Sequence, residues 1–213
     1  VWQSMNRDNG PASPYRVLAR RQTERWRGPD APPAQKAREL GISPETLERW
    51  LVQVLAAWRD TTPEPLEPWD YWYATEQATR ALNAQVPRER LRDLNDRFYQ
   101  RLGADPDRLG VHYDLDPRPG KTPVAFTTFG ERRRLQGGTW TPGQAWIFAT
   151  YRSGGLGNLV ELLHETGHAI HIAAIETRPA FADWPDSDVY TEALGDLVAL
   201  EAYEPEWQQE YLG

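Results

Sequence analysis

Apolar residues in the first part of the chain recur with the period of an α-helix. Between Ser43 and Trp58 they follow the spacing i, i+3, i+4, i+7. They are Leu47, Trp50, Leu51, Val54, Leu55 and Trp58. Ser43 and Pro44 supply an N-cap and a proline at the first helical position, so we expect a helix to begin there. Weaker forms of the pattern predict helices over residues 12–26 and 33–40.

Prolines interrupt this pattern in the stretch 59–68. Each proline lacks an N–H donor and disfavours helical backbone at the residue before it, so the stretch is predicted to be a rigid linker. Helices are then expected from Asp70 to about Ala84 and again from Pro87. The second of these would place four apolar side chains on one face: Leu91, Leu94, Phe98 and Leu102.

The pattern changes at residue 111, where apolar and polar residues begin to alternate or form short β-prone runs. Three strands are predicted, at 111–115, 124–129 and 145–150. A helix is then expected to open at Asn158, with Glu161 completing a variant capping box, and to continue to Ile175. A final helix is predicted from Asp188 to Tyr203, ending at Pro205.

These elements predict a mainly α fold with a small β-sheet next to the helix opened by Asn158. We expect a helical segment over 1–110 and a second segment over 111–213, together forming one continuous domain. The chain of 213 residues, of which 39% are hydrophobic, is long enough to bury a sizeable core. Its end directly after an acidic stretch leads us to expect a natural protein that extends beyond Gly213.

Composition excludes several classes of function. The chain has no Cys, which rules out disulfides, thiolate nucleophiles and Cys-ligated metals. Its formal net charge of −7 offers no overall attraction for nucleic acid or for an anionic membrane. No signal peptide or membrane span is predicted, and we expect a cytoplasmic protein.

The strongest chemical signal is the sequence His164-Glu165-Thr166-Gly167-His168, the His-Glu-x-x-His pattern. At about 3.6 residues per turn, histidines four positions apart lie one above the other and can both reach a single zinc ion. Glu165 points about 100° away from His164 and can reach a metal-bound water without being a ligand. In a chain of this composition the pattern arises by chance about 0.006 times. The alternative is a helix whose two histidines are satisfied by core hydrogen bonds.

A catalytic zinc needs a third protein ligand. Residues 171 and 174 are His171 and Ala174, which excludes the metzincin extension of the motif. The third ligand is then a downstream carboxylate or, as an alternative, His112. Glu192 and Asp196, four positions apart on the next helix, share a face. One can bind zinc while the other accepts the outward N–H of a ligand histidine.

The two segments His164-Glu165-Thr166-Gly167-His168 and Glu192-Ala193-Leu194-Gly195-Asp196, at this interval, resemble the gluzincin peptidases. The second segment is especially similar to the angiotensin-converting enzyme group. His171 and the run from Tyr113 to Lys121 are more like the oligoendopeptidase F and thimet oligopeptidase group. The match covers residues 111–203.

This resemblance implies a helical, zincin-like metallopeptidase with a deep channel for short, unfolded peptides. It implies one Zn²⁺ held by His164, His168 and Glu192, with Glu165 as the catalytic base. Asp196 and His171 would support the zinc ligands, although His171 could instead touch substrate.

The resemblance also implies a strand on which substrate backbone aligns by β-augmentation. It matches the β-prone run that begins at Val124, Ala125 and Phe126, and the alternative is an ordinary core strand.

One feature of the resembled families has no counterpart in this sequence. Their oxyanion-stabilising Tyr and His side chains lie far beyond the third ligand, whereas Gly213 is 21 residues after Glu192. We therefore expect residues 1–213 alone to bind zinc but to be a poor catalyst. Two alternatives to an enzyme remain: a zinc-binding but non-catalytic peptide-binding module or fragment, and a purely structural helical protein. The peptide preference, the choice of internal or terminal bonds and the oligomeric state stay open.

Overall fold

The computed structural model describes residues 13–27, 31–61, 73, 76–131, 134–141, 143–174 and 188–213. The chain divides into two compact units, Val1–Pro65 and Leu66–Gly213. The fold is mainly helical with small sheets, as the hydrophobic pattern predicts. Asp70, expected to cap a helix, lies outside the described residues. Of the predicted linker only residues 59–61 are described, and they are helical, so the linker prediction is wrong there.

Three helices make up the described part of the first unit: α1 (Pro14–Arg25), α2 (Pro32–Glu39) and α3 (Pro44–Thr61). Each begins at a proline, whose fixed φ suits the first helical position and whose missing N–H costs nothing there. The Ser43 hydroxyl accepts a hydrogen bond from the Thr46 N–H at 3.2 Å and caps α3. All three predicted helices are confirmed, with ends within three residues of those expected.

The other helices among the described residues belong to the second unit. In chain order its α-helices are α4 (Gln77–Leu82), α5 (Leu91–Arg101), α6 (Leu156–Ala174), α7 (Asp188–Ala199) and α8 (Pro205–Tyr211). Short 3₁₀ turns cover Asn83–Gln85, Arg88–Arg90 and Leu200–Tyr203. None of the described helices is both long and apolar enough to cross a membrane.

The apolar face predicted for α5 is largely confirmed. Leu91, Leu94 and Phe98 are buried, and the phenol of Tyr99 extends the same face. Leu102 is wrong as a core residue, because its side chain is 57% exposed. It follows the last helical residue, and the positive φ of 83° at Gly103 then turns the chain away from the helix.

A three-stranded sheet in the order β1-β5-β2 lies beside α6. Its strands are β1 (Val111–Asp114), β2 (Phe126–Glu131) and β5 (Gln144–Phe148). The central strand β5 runs parallel to β1 and antiparallel to β2. Ala145 and Ile147 of β5 are fully buried, and β5 packs against α6. The three predicted strands are confirmed, although β2 begins at Phe126 and not at Val124.

A separate hairpin, β3 (Arg134–Gln136) with β4 (Thr139–Thr141), falls in a stretch where no strand was predicted. Its residues are mostly polar and β3 is fully exposed, so the sequence shows no alternation of apolar and polar residues that would predict it. The turn residues Gly137 and Gly138 both have positive φ, 57° and 83°, which suits a two-residue hairpin turn.

The helix α6 begins two residues before the predicted start. The chain enters it through Gly154 and Gly155, where a Cβ on Gly154 would overlap the carbonyl oxygen of Val86. The N–H of Gly155 donates to that oxygen at 2.7 Å. Asn158 is therefore inside the first turn, where its side-chain amide donates to the carbonyl oxygens of Ser153 and Gly154 at 2.9 and 3.1 Å.

The last predicted helix is shorter than expected. The α-helix α7 ends at Ala199, a 3₁₀ turn continues to Tyr203, and Pro205 begins α8. The rings of Trp207 and Tyr211 on α8 stack at 4.5 Å, and both meet Phe98 edge to face. This aromatic cluster fixes the C-terminal helix against α5.

A buried hydrogen bond ties α5 to α6 close to the motif. The hydroxyl of Tyr99, a side chain that is 3% exposed, donates to the carbonyl oxygen of Leu163 at 2.6 Å. Burial raises the pKa of this phenol, so it stays a donor at any physiological pH. The bond therefore holds the turn of α6 that carries His164 and Glu165.

Candidate metal centre

The helix α6 carries the two motif histidines on one stripe. The rings of His164 and His168 lie 4.4 Å apart at an angle of 87°, and their Nε2 atoms approach to 2.9 Å. His168 and Glu165 are buried, whereas the His164 side chain is 20% exposed. The spacing of four residues alone produces this convergence, because it returns a side chain to the same face of the helix.

The helix α7 packs against α6 and supplies two carboxylates. The Oε2 atom of Glu192 lies 3.3 Å from Nε2 of His164 and 3.7 Å from Nε2 of His168. The Oδ1 atom of Asp196 lies 2.9 Å from Nδ1 of His164. Glu192 therefore faces the two converging nitrogens, and Asp196 faces the opposite edge of one ring.

His164, His168 and Glu192 form a group that could hold a metal ion. Their nearest ligand atoms are separated by 2.9, 3.3 and 3.7 Å. A tetrahedral ion with bonds of about 2.0 to 2.1 Å has edges of about 3.3 Å between its ligand atoms. The mean separation matches that value, so the donors fit such an ion. Neutral imidazoles and a carboxylate also satisfy the chemistry that a divalent metal requires.

Burial favours the neutral form of His168. It lowers the pKa of this imidazole, and the neighbouring His164 lowers it further, while Glu192 opposes both effects. A neutral imidazole is the form that binds a metal. The Nδ1 atom of His168 is buried without a hydrogen-bond partner in the described part of the chain.

Glu165 sits beside the metal group but is not one of its members. Its carboxylate accepts a hydrogen bond from the Thr127 hydroxyl, with 2.6 Å between Oγ1 and Oε2. Thr127 Oγ1 also lies 2.9 Å from the carbonyl oxygen of Glu165. Burial raises the pKa of the Glu165 carboxyl, and the bond from Thr127 opposes that rise. A buried carboxylate whose pKa is raised is a better proton acceptor than an exposed one.

The remaining predicted site residues lie in different places. The ring of His171 meets Tyr190 of α7 edge to face at 5.5 Å, which places it between the two helices. His112, the alternative third ligand, stacks on Trp146 at 4.5 Å and is not in the metal group. Adjacent residues of a strand point to opposite faces, so His112 lies on the face opposite buried Val111.

The run Val124, Ala125 and Phe126 enters the edge strand β2. Val124 and Phe126 are exposed, whereas Ala125 is buried. Phe126 stacks on Phe148 at 5.1 Å, so part of its surface is used within the sheet. The role of this run in aligning a substrate stays a prediction.

Two residues of the site were not found from the sequence. Thr127 is an ordinary strand threonine, and nothing in its neighbourhood marks it as a partner of Glu165. Gly195 packs directly beneath the His164 ring. Its position one residue before Asp196 in a helix was the available signal, because an isolated glycine within a helix often marks a close contact.

No family model matches this chain, and no curated protein matches it significantly. The functional proposal therefore rests on the geometry of the side chains that α6, α7 and β2 bring together.

Proposed function

We propose that this chain is a zinc-dependent metallopeptidase, or the zinc-binding portion of one, that hydrolyses peptide bonds in short oligopeptides. One observation carries the proposal. A two-histidine, one-carboxylate group converges at a single point, and a buried glutamate lies next to it without joining it. A site that only stores or senses metal has no need of that extra carboxylate.

The donor set favours zinc. Two imidazoles and one carboxylate are the ligands of known catalytic zinc peptidase sites, which keep a further position open. When bound, zinc would supply Lewis acidity towards the scissile carbonyl and the attacking water. His164, His168 and Glu192 would hold it, and Asp196 would fix the His164 ring through Nδ1.

Glu165 would act as the general base and then as the general acid. Its carboxylate would take a proton from the attacking water and deliver it to the leaving amine. The hydrogen bond from Thr127 fixes one carboxylate oxygen and leaves the other available for this transfer. Burial, which raises the pKa of this group, makes its carboxylate a stronger base for taking the proton from water.

The position of β2 supports a peptide as the substrate. This strand pairs with β5 along one edge in the described sheet, and its Thr127 contacts the base. An extended peptide laid along the other edge, near Val124, Ala125 and Phe126, would gain backbone hydrogen bonds by β-augmentation. Its scissile bond would then run close to Glu165.

The test combines metal analysis with hydrolysis of internally quenched oligopeptides. We expect one zinc per chain, loss of hydrolysis after chelation and its return when zinc is added. Zinc binding without hydrolysis of any peptide in a diverse library would support the non-catalytic alternative, a peptide-binding module or a fragment of such an enzyme. Absence of zinc uptake would overturn the metal centre.

Replacing Asp196 with Asn should weaken zinc binding by about 10- to 100-fold, the usual cost of losing a partner of a ligand histidine. The amide keeps the size of the side chain but loses the charge that supports the Nδ1–H of His164. Competition with a chromogenic chelator measures the affinity. Glu201→Gln, which removes one charge from the turn after α7, is the matched control and should bind zinc normally. Equal affinities of the two variants would contradict the role of Asp196.

Replacing Thr127 with Val should slow peptide hydrolysis by about 10- to 100-fold, since a hydrogen bond to a charged group contributes about 1.5 to 3 kcal/mol. The shape of the side chain is kept while the donor to Glu165 is lost. Zinc content should not change. Thr127→Ser should restore most of the rate, and Thr128→Val, which alters the next residue of β2, should have little effect. A normal rate in Thr127→Val would show that Glu165 needs no such support.

A further inference from the structure

A glycine on α7 occupies the point where this helix meets the imidazole of His164. A Cβ atom built on Gly195 would lie 2.9 Å from both Cε1 and Nδ1 of that ring, and 3.2 Å from Cγ. Real Cβ atoms essentially never approach other heavy atoms closer than 3.0 Å. Any side chain at this position would therefore have to displace the ring.

The residue of α6 that faces Gly195 is also a glycine, Gly167. A Cβ on Gly167 would lie 3.1 Å from the Cα atom of Gly195 and 3.2 Å from the Tyr99 hydroxyl. The backbones of α6 and α7 thus approach closely where the two glycines meet. This approach brings Glu192 and Asp196, one turn apart on α7, within reach of the single ring of His164.

We propose that Gly195 is a positioning residue for the metal centre: its missing side chain leaves the space in which the His164 ring stands. In that space Nε2 faces His168 and Glu192 while Nδ1 faces Asp196. The inference rests on the proposed zinc site and adds a residue that touches neither metal nor substrate.

Gly195 lowers the intrinsic stability of α7, so its presence needs a compensating reason. Glycine in a helix interior is less favourable than alanine, so α7 would gain intrinsic helical stability from alanine at this position. The obstacle to alanine at position 195 is the His164 side chain, which is 20% exposed and can turn outwards. Alanine is therefore compatible with the fold, but only when His164 leaves the position from which it contacts Glu192 and Asp196.

The first arm of the test compares zinc affinity in Gly195→Ala, in the unmodified chain and in Gly157→Ala. Gly157 lies on α6, and a Cβ there would meet only the Thr79 side chain at an ordinary 3.5 Å. Competition with a chelator should show at least a tenfold loss of affinity in Gly195→Ala and none in Gly157→Ala. Unchanged affinity in Gly195→Ala would overturn the role of Gly195 while leaving the proposed function intact. Absence of zinc binding by the unmodified chain would overturn both.

The second arm needs no metal and covers the case in which Gly195→Ala folds poorly. Thermal unfolding is measured in chelator for the four chains that combine Gly195→Ala with His164→Ala. If the ring is the obstacle, Gly195→Ala should raise the midpoint by about 2 to 4 °C when His164 is alanine. When His164 is present, Gly195→Ala should raise the unfolding midpoint by less than this, or lower it. An equal shift in both backgrounds would show that Gly195 and His164 do not interact, and would overturn the inference.

Discussion

Glu165→Gln should retain zinc and lose nearly all peptide hydrolysis. Glutamine keeps the size of the side chain and can still meet the Thr127 hydroxyl, but it cannot accept a proton from water. General base catalysis typically contributes about 10²- to 10⁴-fold, so the rate should fall by that factor. Zinc should stay bound because Glu165 is not among the three residues whose ligand atoms converge. Hydrolysis of quenched oligopeptides and metal content, measured on the same sample, test both statements.

Glu161→Gln is the matched control for this experiment. Glu161 lies one turn before Glu165 on α6, carries the same charge and is exposed. Its carboxylate lies near Tyr151 and is not part of the metal group. The control should hydrolyse peptides at a rate close to that of the unmodified chain. Loss of zinc in Glu165→Gln would make Glu165 a ligand, and a normal rate would remove it from catalysis.

The convergence of His164 and His168 was predictable because it depends only on local geometry. Any α-helix brings positions four apart onto one face, so the sequence needed only to establish that the stretch is helical. The apolar pattern from Asn158 to Ile175 did so. Errors of two residues at the start of α6, caused by the entry through Gly154 and Gly155, do not change the relation between the two histidines.

The separate roles of Glu192 and Asp196 on α7 were harder to predict from the sequence. Spacing placed Glu192 and Asp196 on one face of a helix, but it could not say which of them faces the histidine Nε2 atoms. That assignment came from the resemblance to the gluzincins. The structure places Oε2 of Glu192 against Nε2 of His164 and Asp196 against Nδ1, because close contact at Gly195 fixes how α7 crosses α6.

Contacts between distant segments could not be read from the sequence. Thr127 meets Glu165 across 38 residues, and this contact depends on the register of β2 against β5. A shift of one residue would turn Thr127 to the opposite face of the sheet. The hairpin of β3 and β4 was not predicted for a different reason: all of β3 is exposed, so the sequence shows no alternation of apolar and polar residues there.

His168→Ala should abolish tight zinc binding, whereas His112→Ala should leave it intact. The first variant removes one of the three protein ligands. Structural zinc sites with four protein ligands have apparent affinities of about 10 to 16 kcal/mol, or roughly 2.5 to 4 kcal/mol per ligand, so we expect a loss of about 10²- to 10³-fold. His112 offers the same imidazole, but it stacks on Trp146 and stands outside the metal group. The affinity for zinc, measured by chelator competition, decides between the two histidines. Loss of zinc in His112→Ala with retention in His168→Ala would place the metal at the sheet and contradict the centre built on α6 and α7.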